Sequence, residues 1–135
     1  MTAVPFRSTL CGISQLPHRC LVLVMPYEVD LANYEAMYAA VCRALELRHG
    51  RIDVLVLDFT GTAFTDSRGA RLVSATREYA ARAGVTVRLA AGEHRREGGV
   101  VRRVVTLTGL RRDVPVYGTV REAVAGVDEV LARIV

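Results

Sequence analysis

Asp53-Val54-Leu55-Val56-Leu57-Asp58-Phe59-Thr60-Gly61-Thr62-Ala63-Phe64-Thr65-Asp66-Ser67-Arg68-Gly69-Ala70-Arg71-Leu72 is the stretch that decides the fold. Its apolar run from Val54 to Phe59, broken only by Asp58, is too short for a helix and rich in β-branched residues. It reads as a strand buried on both faces. A turn with Gly61 and Thr62 follows, then a second apolar point at Ala63 and Phe64. Asp66 and Ser67 are both good helix N-cap residues, and a helical pattern runs on from them to about Ala83. A buried strand that ends in a polar turn and opens a helix sets Asp66, Ser67 and Arg68 at the strand's carboxyl edge. Open α/β sheets place their functional sites there.

Toward the N-terminus, Phe6 to Ile13 and Cys20 to Met25 read as two strands joined by a loop containing Pro17, with residues 1–4 expected to be loose. Pro26 and Tyr27 end the second strand. Glu28-Val29-Asp30 then leads into a helix with Asp30 as its N-cap. Leu31, Tyr34, Tyr38, Val41 and Leu45 recur at three- and four-residue steps, one apolar stripe that Gly50 stops near His49.

Toward the C-terminus, the helix after Asp66 has Leu72, Ala75, Tyr79 and Ala83 as its stripe, with Arg68, Arg71, Glu78 and Arg82 on other faces. Gly84 suits its C-cap. Val85 to Ala90 is a further strand, and the polar stretch Gly92 to Gly99 reads as a mobile loop. Val100, Val101, Val104 and Leu107 form a short helix closed by Gly109, with Leu110 supplying the apolar contact of that cap. Val114 to Tyr117 is a brief strand. Thr119 and Glu122 form a capping box that opens a last helix, with Ala123, Val124, Val127, Val130 and Leu131 inward. Gly126 within it costs about 1 kcal/mol against Ala. The order β-β-α-β-α-β-α-β-α predicts an α/β fold: one domain over residues 1–135, a mostly parallel sheet of about five strands, and four helices.

At 135 residues, one domain buries roughly two-thirds of the surface its unfolded chain exposes. Apolar runs such as Cys20 to Met25 are far below the ~18 residues that span a bilayer. No membrane association is expected, and no charged-then-apolar leader is visible, so a cytoplasmic location is expected. Cys11, Cys20 and Cys42 are odd in number and widely spaced, which fits reduced, buried thiols. His18, His49 and His94 show no ligand spacing, so neither a metal nor another cofactor is expected. Residues 1–66 carry 5 Arg against 7 acidic residues and residues 67–135 carry 13 Arg against 7, with no Lys anywhere. The Arg pairs at 95–96, 102–103 and 111–112 lack interleaved aromatic residues for base stacking, which argues against direct nucleic-acid binding. They read as a solvated, partner-facing surface.

Two enzyme readings fail on missing parts. Asp58-Phe59-Thr60-Gly61-Thr62 resembles the first motif of the haloacid-dehalogenase-like phosphatases and of the P-type ATPases, with Asp58 as nucleophile. The second acid two positions on is Thr60 here, no Lys exists, and no late acidic pair follows to hold Mg²⁺. A serine hydrolase built on Ser67 lacks both the G-x-S-x-G turn and an assigned base. No catalytic residue is therefore expected.

A different resemblance is carried by several motifs in register. Glu28-Val29-Asp30-Leu31-Ala32-Asn33, Val54 to Phe59 and Phe64-Thr65-Asp66-Ser67-Arg68-Gly69 look like the signature of the STAS domains. They are most similar to that of the bacterial anti-sigma factor antagonists: "GELD…N", then "vvlDls…v…fiDSSG". Leu107-Thr108-Gly109-Leu110 matches the late "l…tGL", and the resemblance spans roughly residues 6–132. It implies a regulatory module without enzymatic activity. Such a module binds an anti-sigma factor, typically a serine kinase of the histidine-kinase ATPase fold, and so frees a sigma factor for transcription. The partner-binding residues it implies are Glu28, Asp30, Asn33, Asp66, Ser67, Arg68, Gly69, Arg71 and Leu72. In the family the kinase phosphorylates the residue after "DS", and a phosphate there adds about −1.5 to −2 charge at a helix N-terminus. Here Arg68 stands in the acceptor position and Ser67, one residue earlier, is the adjacent hydroxyl and the one candidate for phosphorylation. Ala70 replaces a usual Leu. A STAS module diverged toward small-ligand binding or scaffolding is the alternative, and a homodimer is left open.

Overall fold

The computed structural model describes residues 18–92, 101–104, 109 and 112–134. Its elements are β1 (Arg19–Val24), β2 (Glu28–Val29), α1 (Tyr34–Leu47), β3 (Val54–Asp58), β4 (Phe64–Thr65), α2 (Ser67–Arg82) and β5 (Thr86–Ala90). They continue with α3 (residues 101–104), β6 (Val116–Tyr117), α4 (Val120–Ala123) and β7 (Glu129–Ile134). Five strands form one sheet in the order β6-β5-β3-β1-β7, parallel at every pairing, and β2 and β4 make a separate parallel pair. The fold class is the one expected.

All five residues of β3 are buried, as a central parallel strand covered on both faces requires. Leu55, Leu57 and their neighbours Leu21, Leu23, Val87 and Leu89 meet Val41, Leu45, Leu72, Val73 and Ala80 of α1 and α2 in the main core. Cys20, Val22, Val54, Val56 and Ala90 pack with Ala123 of α4 on the opposite face. The register aligns Val24, Asp58 and Ala90 at the sheet's carboxyl edge.

Helix α1 starts at Tyr34 and not at Asp30. The Asp30 Oδ1 accepts from the amides of Ala32 and Asn33 at 3.0 and 3.2 Å. The carboxylate thus stabilises a turn ahead of the helix, and Leu31 in that turn is 69% exposed, outside the apolar stripe. The buried positions of α2 are Gly69, Ala70, Leu72, Val73, Thr76 and Ala80. Ala75, Tyr79 and Ala83 of the expected stripe are partly buried.

The expected last helix is four residues long. Half of its expected capping box forms, the Glu122 amide donating to Thr119 Oγ1 at 3.1 Å, while Glu122 Oε1 accepts at 3.1 Å from the amide of Gly118, one residue before the cap. Arg88 Nη1 donates to the carbonyls of Ala123 and Ala125 at 3.0 and 3.2 Å, satisfying the helix's last carbonyl and one in the turn beyond it. Gly126 then takes a φ of 81°, left-handed geometry that glycine enters without steric cost. The chain turns and pairs with β1 as β7. The Val- and Leu-rich segment after Gly126 suits a strand as well as a helix, and β1's open edge decides it. The expected strand Phe6–Ile13, the loose residues 1–4, the loop beyond Gly92 and the Leu110 contact lie outside the described residues.

Candidate functional site

The turn after β3 is fixed from both ends. Asp58, only 1% exposed, accepts at Oδ1 from the Thr60 amide and hydroxyl at 2.9 and 2.6 Å. Its Oδ2 accepts from Arg133 Nη2 at 3.0 Å. Beyond it, the buried Thr62 donates its hydroxyl to the Pro26 carbonyl at 2.8 Å. The amides of Ala63 and Phe64 both donate to the Tyr27 carbonyl. These bonds lay β4 alongside β2, with Glu28 opposite Phe64 and Val29 opposite Thr65. The two motif segments, far apart in sequence, thereby share one edge.

Asn33 holds the first segment closed. Its Nδ2 donates to the Glu28 carbonyl at 2.7 Å, and its Oδ1 accepts from the Asp30 amide at 3.0 Å. Asp30 and Asn33 therefore shape the loop through backbone contacts, while the Glu28 side chain is exposed. In the second segment Asp66 is the N-cap of α2, its Oδ1 accepting from the Arg68 amide at 2.7 Å. Ser67 is the first residue of the helix and is exposed.

Of the expected partner residues, Gly69 and Leu72 lie below the surface. Leu72 is fully buried in the core. Gly69 is buried against Thr65, whose Cβ would lie 3.3 Å from a β-carbon there. Arg68 is partly exposed and Arg71 exposed, and among the described residues neither has an acidic partner. The first turn of α2 holds no acidic residue. Cations near a helix N-terminus oppose the helix dipole by roughly 0.3–1 kcal/mol each, so the helix itself gains nothing from Arg68.

The motif reading missed the apolar part of the same edge. Tyr27 and Phe64 are 55% and 57% exposed and pack edge to face, their ring centroids 5.4 Å apart. Tyr27 immediately precedes the first motif segment and Phe64 opens the second, a signal legible only once β2 and β4 are known to pair in parallel. Leu31, also exposed, extends from the end of the first segment. The face thus offers aromatic and aliphatic surface beside two cations, the composition of a protein contact whose aromatic and Arg residues carry the affinity.

Both oxygens of Asp58 are committed to Thr60 and Arg133. Among the described residues no group of three or more His, Cys, Asp or Glu could hold a metal ion. None of the described helices is long and apolar enough to cross a membrane. Burial pushes the Cys20 thiol up to about 11, so it stays protonated. A hollow of about 280 Å³ between β1, α1 and β7 is lined by apolar residues, among them Leu23, Met25, Met37, Val41 and Ile134. Their side chains supply none of the convergent polar groups that orient a small polar ligand.

A five-stranded parallel sheet flanked by helices, with a capped helix start at a strand-to-helix turn, makes this an α/β module. The STAS domain family matches residues 14–123, and the chain belongs to that family. An anti-sigma factor antagonist of Mycobacterium paratuberculosis has a similar structure, with a TM-score of 0.62 at 26% identity over 78% of this chain and 85% of that one. A candidate anti-sigma factor antagonist of Thermotoga maritima shares the fold, with a TM-score of 0.63 at 20% identity over 78% of this chain and 86% of that one. No curated protein matches the sequence.

Proposed function

We propose that this STAS domain is an anti-sigma factor antagonist: it binds an anti-sigma factor in the cytoplasm and so releases a sigma factor, acting by occupancy and not by turnover. The carrying observation is the β2–β4 pairing, which joins both motif segments at one edge with the exposed Tyr27–Phe64 pair and with Arg68 and Arg71, which have no acidic partner among the described residues. Residues 28–33 and 64–71 form the partner face. Its complement is an apolar depression rimmed by carboxylates on an anti-sigma factor of the serine-kinase type. The likeness to the mycobacterial antagonist supports the same reading. Arg68 in the acceptor position makes the protein a binder governed by its abundance.

Affinity capture from the source organism tests this. The wild-type protein should retain an anti-sigma kinase, and the Arg68→Glu/Arg71→Glu variant should lose it, chiefly through slower association. Capture that survives the double reversal would place the interface elsewhere.

A further inference from the structure

Asp58 is the one buried charged side chain among the described residues. Its partner, Arg133, belongs to β7, an edge strand of the sheet and the last in the chain, and the Arg133 side chain is 58% exposed. We propose that Arg133 is a positioning residue for the partner face, holding the turn of residues 59–63 in register from outside every motif segment. This rests on reading residues 28–33 and 64–71 as that face.

The path is continuous. Arg133 neutralises Asp58 Oδ2, which leaves Oδ1 to accept from both the amide and the hydroxyl of Thr60. The same residue's backbone ties the turn to β1, the Met25 amide donating to the Asp58 carbonyl at 2.8 Å. Thr62 then bonds Pro26, and Ala63 and Phe64 bond Tyr27, which sets Phe64 against the Tyr27 ring. A buried carboxylate without its cation is strongly unfavourable and relaxes by drawing in water or by swinging outward. Either movement pulls on Thr60 and slackens the turn that carries Phe64 and feeds α2.

Amide hydrogen exchange on the free protein reads this without a partner. In Arg133→Gln the amides of Thr60, Thr62, Ala63 and Phe64 should exchange about tenfold faster, as a local opening does, while those of β5 and α1 keep their wild-type rates. Arg133→Lys keeps the charge but loses the planar fork, and should fall between. Arg133→Gln combined with Asp58→Asn should return toward wild type, because no unpaired charge remains. It also keeps the test open if Arg133→Gln alone fails to fold. Unchanged exchange at the four amides, equal acceleration across the whole sheet, or no recovery in the double variant would each overturn the proposal. If the four amides loosen but the captured partner binds Arg133→Gln as tightly as wild type, the positioning role falls and the face stands. If Arg68→Glu/Arg71→Glu leaves capture intact, the face itself falls.

Discussion

The hydroxyl of Thr65 occupies the space that a β-carbon on Gly69 would fill. Turning Thr65 about χ1 moves Oγ1 and Cγ2, but its Cβ stays 3.3 Å from the added carbon, so the contact remains tight. Gly69→Ala gains about 1 kcal/mol of helix propensity but incurs an overpacking cost of about 1–3 kcal/mol. We expect net destabilisation of about 1 kcal/mol by denaturant titration. In a Thr65→Ala background the same change should become neutral or stabilising, and equal effects in both backgrounds would refute the clash.

Asn33 serves two backbone groups at once, the Glu28 carbonyl and the Asp30 amide. Asn33→Ala should cost about 1–2 kcal/mol and loosen residues 28–33 selectively. Hydrogen exchange at the Asp30 amide reads this directly, and full protection in the variant would show that the loop is held by other contacts.

Thr76 is fully buried on α2, and its hydroxyl has no hydrogen-bond partner among the described residues. Val has nearly the same shape without the oxygen, so Thr76→Val should be neutral to about 1 kcal/mol stabilising. A loss of stability beyond about 1 kcal/mol would mean that the hydroxyl is satisfied after all.

Tyr79 donates its hydroxyl to Glu46 Oε2 at 2.9 Å, linking the C-terminal half of α1 to α2. That hydrogen bond, with burial and the carboxylate's charge adding to it, raises the phenol above its ordinary value. The folded state therefore favours the protonated phenol. The resulting stability is complete below the unfolded phenol's value of about 10 and is lost as pH rises through the higher folded value. Ultraviolet titration of tyrosinate should show one tyrosine moving back down in Glu46→Ala. An unchanged titration would remove Glu46 as the cause.

Incubated with its cognate kinase and ATP, the wild-type protein should gain no phosphate at Ser67, and Arg68→Ser should become an acceptor. Asp66, not Ser67, supplies the N-cap of α2, so the Ser67 hydroxyl is not tied up as a cap. Its place one residue before the acceptor position, a rotation of ~100° about the helix axis, should keep it from transfer. Site mapping that finds stoichiometric phosphate on wild-type Ser67 would restore the phosphorylation switch with a shifted acceptor.

What the sequence determined by itself was whatever depends on neighbours in the chain. The apolar run of β3, broken only by Asp58, the Asp66 and Thr119 caps and the motif segments at 28–33 and 64–69 were all legible, because propensity, capping and periodicity act within a few residues. Tertiary structure decided what depends on distant partners. Residues 129–134 carry apolar spacing that fits a helix, and they became β7 because β1 offered an open edge and Gly126 could turn left-handed. Tyr27 and Phe64 became one exposed surface only when β2 and β4 paired. Asp58 fitted only a phosphatase-like motif whose other parts are missing, and its partner, Arg133, lies 75 residues away in sequence. A buried carboxylate needs a cation, but only the completed sheet specifies which one reaches it.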